Sequence, residues 1–172
     1  MRLFIGLPLG PEGRKQAAEY MTVLRKAGVK GSFTRPENLH VTLAFLGEQE
    51  NTDKAEEAMR AVRFSPETVL LCRTAMFRKT GILHLDPASP EALRPLADDL
   101  AAALRERGMR LENRAYRAHL TLCRRVVLPE GIVLPEPPTV PLPAEAMVLF
   151  ESHRPNGVLT YTPRFHWPPA SK

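Results

Sequence analysis

The stretches His40-Val41-Thr42-Leu43 and His119-Leu120-Thr121-Leu122 repeat one pattern at two distant places in the chain. An apolar residue separates each histidine from its threonine, and residues two apart in an extended strand point to the same face. Each stretch therefore predicts an imidazole and a hydroxyl side by side. A single His-x-Thr triplet carries the false-positive risk of any short motif. Two triplets, each followed by leucine in a strand-like run, indicate a duplicated site.

Outward from these stretches, the chain alternates extended and helical patterns. Apolar residues recur at helical spacing over residues 12–27, and again after Ser89-Pro90 until Gly108, which predicts two amphipathic helices. The prolines of residues 129–143 favour an exposed connection over a central strand. With one His-x-Thr strand in each half, the order of elements predicts a pseudo-duplicated α+β fold.

The first His-x-Thr strand shows the clearest alternation. Within residues 39–46 the period of two places Val41, Leu43 and Phe45 on a core-facing side. His40 and Thr42 then lie on the opposite face. We expect that face to be the functional one.

Composition indicates a globular protein with a modest basic excess. The 172 residues suffice for one domain or for two small lobes with a shared core. The net charge of +5 favours a polyanionic ligand without specifying nucleic acid. The apolar run at residues 3–9 is too short to cross a membrane, and we expect no membrane partner. Cys72 and Cys123 lie in apolar runs, which predicts two buried thiols in a reducing cytoplasm.

Paired histidines and threonines suit phosphodiester chemistry. Imidazole exchanges protons near neutral pH, so one of the two could take a proton from water and the other could give one to the leaving oxygen. The hydroxyls of Thr42 and Thr121 could donate hydrogen bonds to phosphate oxygens as charge develops on them. The four side chains thus predict a symmetric phosphate clamp around His40 and His119.

Two alternatives compete with this interpretation. Both histidines could be structural residues of their strands, although the duplication argues against it. A zinc site would need three or four ligands, and the remaining histidines have no partner at ligand-like spacing; they are His84, His153 and His166. We therefore expect no metal and no other cofactor.

Three stretches resemble a known family. Residues 35–48, which read RPENLHVTLAFLGE, resemble the first signature of the two-histidine (2H) phosphoesterase superfamily, and most closely its RNA 2′,3′-cyclic phosphodiesterase branch, also called 2′-5′ RNA ligase. Residues 116–124 are similar to the second signature, and residues 2–8 to the first strand of that branch. The likeness extends over nearly the whole chain, so we expect residues 1–172 to form a single two-lobed domain.

The resemblance implies both a fold and a reaction. The fold would be two lobes related by a pseudo-twofold axis, with antiparallel sheets around a central cleft and helices on the outside. The reaction would be metal-independent hydrolysis of RNA 2′,3′-cyclic phosphate ends to 2′-phosphate, with 2′-5′ RNA ligase activity as an accompanying reaction. In this family His40 would protonate the departing 3′ oxygen, and His119 would activate water.

The resemblance also points to two substrate-binding residues. Phe33 stands where the family often carries a tryptophan, and it could stack on a terminal base or belong to the core. Arg124 matches a family arginine that could pair with phosphate, but strict alternation puts it on the face opposite His119. It reaches the site only if the strand is bulged, and a structural role for Arg124 is the alternative.

Rival functions stay open at this stage. The chain could hydrolyse small cyclic nucleotides or 2′-5′ oligonucleotides. It could also be a non-catalytic RNA- or nucleotide-binding module, although binding alone does not need two proton-transfer groups. We expect a monomer that binds RNA ends or nucleotides bearing a 2′,3′-cyclic phosphate.

Overall fold

Nine strands and three α-helices follow one another in the computed structural model, which describes residues 1–171. The strands are β1 (Arg2–Pro8), β2 (Lys30–Phe33), β3 (His40–Glu48), β4 (Glu67–Phe77), β5 (Ile82–Pro87), β6 (Leu120–Val127), β7 (Val140–Ala144), β8 (Met147–His153) and β9 (Thr160–Trp167). The helices are α1 (Pro11–Lys26), α2 (Asp53–Ala61) and α3 (Arg94–Glu106).

The strands form two four-stranded halves that meet at the His-x-Thr strands. The order is β7-β4-β5-β6-β3-β1-β8-β9, with every neighbouring pair antiparallel, and β2 adds to β6. The pairing of β3 with β6 is a single residue pair, Val41 with Leu120. Each half therefore has its His-x-Thr strand innermost, which is the pseudo-twofold α+β arrangement expected from the sequence.

The core lies between this sheet and the helices. Leu3, Ile5 and Leu7 of β1 are fully buried, and each contributes about 1.5–3 kcal/mol to folding by leaving water. Helix α1 packs against β7, and α2 and α3 pack on each other, with α3 reaching β3. On the other face of β1, Phe4 packs with Phe150.

Helix α3 begins later than the sequence predicts. Residues Ser89-Pro90 form part of a turn, and the helix begins at Arg94, after Leu93 in a left-handed conformation with φ 65°. Pro95 accounts for the difference. The N–H groups of the first helical turn have no acceptor within the helix, so proline can stand there without loss of a hydrogen bond. A helix that began at Pro90 would instead place Pro95 in the interior.

The alternation along β3 breaks at Leu43. The register with β1 skips this residue, so β3 carries a bulge there. As a result Leu43 and Ala44 are both buried, and Phe45 is 47% exposed. The predicted core-facing position of Phe45 is therefore wrong. Its ring instead packs beneath the Arg2 guanidinium, 5.0 Å from the ring centre.

The proline-rich segment ends in an edge strand. Strand β7 pairs only with β4 at one margin of the sheet, and its residues Val140 and Leu142 are fully buried. A central strand is absent from residues 129–143, as predicted, but the predicted exposure fails from Val140 onward. Proline is tolerated here because an edge strand leaves one row of N–H groups without a sheet partner.

The two cysteines differ in burial. Cys123 is buried and Cys72 is half-buried, and both are free thiols. The prediction of two buried thiols therefore holds only for Cys123. Within residues 1–171 no helix has the length and apolar character needed to cross a membrane.

Candidate active site

The structure brings the four motif side chains together at the β3–β6 joint. Val41 and Leu120 face each other and are both fully buried. One residue further along, the antiparallel register sets Thr42 beside His119 and His40 beside Thr121. Accordingly, Thr42 and His119 line one pocket of about 380 Å³, and His40 and Thr121 line another of about 270 Å³. We call these the His119 pocket and the His40 pocket.

His40 is fixed by a hydrogen bond on each ring nitrogen. Its Nδ1 lies 2.7 Å from the Asn38 carbonyl oxygen, which can only accept, so Nδ1 carries the proton. Nε2 then accepts a hydrogen bond from the Thr42 hydroxyl at 3.0 Å. Asn38 is itself buried in the short turn Pro36–Asn38, and its side-chain amide donates to the Leu159 carbonyl. The ring therefore presents Nε2 to Thr42 and the cleft.

His119 repeats the Nδ1 part of this arrangement. Its Nδ1 donates to the main-chain carbonyl of Arg117 at 3.0 Å, again two residues upstream. The Tyr116 hydroxyl donates to the Thr42 carbonyl at 2.8 Å and ties this segment to β3. Both histidines thus use Nδ1 as an anchor, which leaves Nε2 for chemistry.

Burial holds both imidazoles in the neutral form. Removal from water lowers the pKa of His40 to about 4, although the bond to the Asn38 carbonyl opposes the shift. The positive charge of Arg124 and the nearby His119 lower this pKa further. Burial also lowers the pKa of His119, with the bond to the Arg117 carbonyl opposing it. An anion bound between the rings would favour their protonated forms.

A bulge in β6 brings Arg124 to the site. The register with β5 skips Leu122, so Leu122 and Cys123 are buried in succession. The residues after the bulge exchange faces. Arg124 consequently lines the His40 pocket together with Thr121. The bulge that Arg124 needs in order to face the site is therefore present in β6.

Arg125 lines the same pocket, and no pattern in the sequence predicts that it does. Its backbone is left-handed, with φ 51°, so the strand does not alternate here. Strand β2 approaches this bend at Gly31, where an added Cβ would lie 2.6 Å from the Arg124 carbonyl oxygen. A side chain at Gly31 would push β2 away. Phe33, at the end of β2, contacts both the core and the pocket, with the Arg25 guanidinium 4.2 Å from its ring centre.

Aromatic rings pack against both histidines, a feature that the sequence does not predict. The rings of Phe4 and Tyr161 lie 4.8 and 5.2 Å from that of His40. Phe77 and His84 lie 5.0 and 5.3 Å from His119. These contacts join strands remote in sequence, so no local pattern could have predicted them.

The other histidines lie outside the two pockets. His84 is fully buried in β5, and His153 and His166 belong to the β8–β9 hairpin. Among residues 1–171 no three His, Cys, Asp or Glu side chains are grouped closely enough to hold a metal ion.

Comparison with known proteins identifies the family. The sequence model of the 2′-5′ RNA ligase superfamily matches residues 13–138. The RNA 2′,3′-cyclic phosphodiesterase of Bacillus subtilis is 30% identical over 164 residues, which cover 87% of each chain. That of Archaeoglobus fulgidus is 30% identical over 130 residues, or 72% of each chain.

Solved structures agree with the sequence comparison. The crystal structure of E. coli LigT complexed with 3′-AMP superposes with a TM-score of 0.80 at 27% identity, and the match covers 96% of each chain. LigT in its apo form gives a TM-score of 0.79 at 28% identity, covering 96% of this chain and 95% of that one. The chain therefore belongs to the 2′-5′ RNA ligase superfamily.

Proposed function

We propose that this protein hydrolyses the 2′,3′-cyclic phosphate at an RNA end to a 2′-phosphate without a metal, with His40 and His119 as the acid–base pair. The observation that carries this proposal is the matched pair of imidazoles, each held through Nδ1 and each beside the hydroxyl of the other strand. The names of the curated relatives support the same reaction.

The reaction needs one proton taken up and one given. Nε2 of His119 takes a proton from water as the water oxygen attacks phosphorus. The bond from phosphorus to the 3′ oxygen breaks, and Nε2–H of protonated His40 gives its proton to that oxygen. A 5′-hydroxyl in place of water, with the same leaving oxygen, gives a 2′-5′ linkage. The assignment of His40 as the acid and His119 as the base is the one that the family resemblance implies.

Thr42 changes its hydrogen bond as His40 takes up a proton. In the free site the Thr42 hydroxyl donates to Nε2 of His40. Once Nε2 is protonated it can no longer accept a hydrogen bond. The Thr42 hydroxyl is then free to donate its hydrogen bond to a phosphate oxygen instead. Thr121 donates to the phosphate from the opposite strand, Arg124 pairs with it, and Phe33 stacks on the terminal base.

The two pockets differ in charge, and the difference favours RNA over a small cyclic nucleotide. The arginines of the His119 pocket include Arg117, bound to Asp86 at 2.6 Å, and Arg114, bound to Glu112 at 2.8 Å. The described residues that line the His40 pocket include four arginines and no acid; the arginines are Arg35, Arg124, Arg125 and Arg154. Of these only Arg35 pairs with a carboxylate in the described chain, that of Glu37. Unpaired guanidiniums beside the cleft suit a polyanionic strand.

We infer further that the protein works as a monomer in the cytoplasm. One chain supplies both histidines and both threonines, so the cleft is complete without a partner. The two free thiols fit a reducing compartment. Light scattering of the purified chain and fractionation of cells would test these two statements.

The test is an assay on two substrates with a product readout. A short oligoribonucleotide ending in a 2′,3′-cyclic phosphate and 2′,3′-cyclic CMP are incubated with the enzyme, and phosphorus NMR locates the product phosphate. We expect a 2′-phosphate from both, with the lower KM for the oligonucleotide. The His40→Ala/His119→Ala double variant controls for contaminating nucleases.

The remaining outcomes identify the rival functions. Hydrolysis of the mononucleotide alone would favour a small cyclic nucleotide as substrate. Tight binding of the oligonucleotide without turnover would favour a non-catalytic binding module. A 3′-phosphate product would reverse the leaving oxygen that we assign.

A further inference from the structure

A second histidine and a carboxylate lie behind His119, outside both pockets. His84 of β5 is fully buried. Its ring centre lies 4.1 Å from that of Phe77 and 5.3 Å from that of His119. The ring of Phe77 in turn meets His119 edge-on at 5.0 Å. One side of the His119 ring therefore packs against a rigid aromatic pair.

Asp86 links this aromatic pair to the segment that carries His119. Its Oδ2 accepts a hydrogen bond from the Arg117 guanidinium at 2.6 Å, and its Oδ1 lies 2.9 Å from Nδ1 of His84. The guanidinium also lies 4.9 Å from the centre of the Phe77 ring. The main-chain carbonyl of Arg117 accepts the Nδ1 hydrogen bond of His119. A carboxylate that holds the Arg117 side chain thus fixes the carbonyl that orients His119.

His119 needs such support because no strand ladder holds it. Strand β6 begins at Leu120, one residue after His119. His40, by contrast, is the first residue of β3 and pairs with Pro8 of β1. The rings that pack on His40 belong to Phe4 and Tyr161. The two halves of the cleft therefore hold their histidines by different means.

We propose that Asp86 and His84 are positioning residues that hold the His119 ring with its Nε2 toward the cleft. Neither residue lines the His119 pocket or the His40 pocket, so both act through other groups. Asp86 acts through Arg117, and His84 acts through ring packing and its contact with Asp86. This inference rests on the proposed role of His119.

The same arrangement sets the charge around His119. The titratable and charged groups that face it are His84 and Asp86 on β5, Arg117 on its own segment, Arg124 on β6 and His40 on β3. The Asp86 carboxylate raises the pKa of His119, whereas Arg117 and Arg124 lower it. Loss of the carboxylate charge would therefore lower the pKa of His119 further, and would leave Arg117 without its counter-ion.

The test compares Asp86→Asn with Glu151→Gln. Glu151 is a matched control because it forms the same kind of half-exposed ion pair, with Arg164 on β9, and its side chain is 16% exposed against 13% for Asp86. In Asp86→Asn we expect kcat for the cyclic-phosphate oligonucleotide to fall roughly 10- to 100-fold, the cost of a misplaced catalytic group, with KM within twofold of wild type. Glu151→Gln should keep wild-type values.

A second readout does not depend on activity. Proton NMR titration of the histidine ring signals in the free protein should show the pKa of His119 lower in Asp86→Asn than in wild type, and unchanged in Glu151→Gln. The pKa of His119 could shift as expected although the chain hydrolyses no cyclic phosphate. That result would uphold the positioning and refute the proposed function. Wild-type kcat together with an unchanged His119 pKa in Asp86→Asn would overturn the positioning.

Three further variants guard against misfolding. Arg117→Gln breaks the same anchor from an exposed side chain, so it should lower kcat even if Asp86→Asn proves unstable. His84→Ala should lower kcat by removing the ring. His84→Phe should restore most of it by returning an aromatic ring to the same place, and a failure of that rescue would overturn the packing role of His84.

Discussion

The burial of His40 predicts a loss of stability in mild acid that one substitution should remove. The unfolded chain takes up a proton on this histidine near its ordinary pKa of about 6.5, whereas the folded chain keeps it neutral down to about pH 4. Because the folded pKa is lowered, the stabilising contribution is present above the unfolded pKa and is lost as the pH falls from 6.5 toward 4. Integrated from pH 7 to pH 5, this one group costs up to about 2 kcal/mol of unfolding free energy.

His40→Gln removes the titration while keeping a polar side chain of similar reach. Urea unfolding of wild type and variant at pH 7 and at pH 5 gives four free energies, and their double difference isolates position 40 because His84 and His119 titrate in both proteins. We expect wild type to lose up to about 2 kcal/mol more than the variant between the two pH values. Equal losses in the two proteins would show that His40 is not held neutral in the folded state, and would refute the reasoning.

Three predictions concern catalysis directly. Replacing His40 or His119 with alanine should lower kcat by roughly 10² to 10⁴ each. The double variant should lose less than the product of the two single losses because the residues act as a unit. Steady-state kinetics measure these losses, and full activity in either single variant would remove that residue from the mechanism. Prolonged treatment with a chelator should leave the hydrolysis rate unchanged, whereas loss that one divalent ion restores would favour a metal mechanism. Thr42→Val and Thr121→Val keep the strand shape and should lower kcat by about 10² if the hydroxyls stabilise the transition state; a raised KM with wild-type kcat would limit them to holding the bound phosphate.

Local patterns predicted the parts of the fold that depend on local geometry. The helical spacing of residues 12–27 corresponds to α1, and the buried residues of this helix include Ala17, Tyr20, Met21 and Leu24. Helix α1 ends before Gly28, whose φ of 99° suits a residue without a side chain. The start of α3 differs from the predicted one because Pro90 and Pro95 could each occupy a first turn, and a helix that began at Pro90 would place Pro95 in its interior.

The bulges in the two His-x-Thr strands were beyond local patterns. Leu43 and Leu122 look like ordinary members of alternating runs, and only the pairing with β1 and β5 shows that each is skipped. A bulge exchanges the faces of the residues that directly follow it on its strand. It therefore moved Phe45 out to the surface and brought Arg124 into the site.

The sequence by itself determined which side chains carry the proposed chemistry, and the tertiary structure determined their geometry. His40 and Thr42 share a face of β3 because residues two apart in a strand point the same way, and the second motif repeats that spacing, so the imidazoles and hydroxyls could be identified without the fold. The pairing of Val41 with Leu120 decided that each histidine lies beside the threonine of the other motif. Packing likewise decided that Asp86 and His84 support only one of the two histidines. These contacts join segments remote along the chain, and their register is set by the burial of both strands in one core rather than by any local preference.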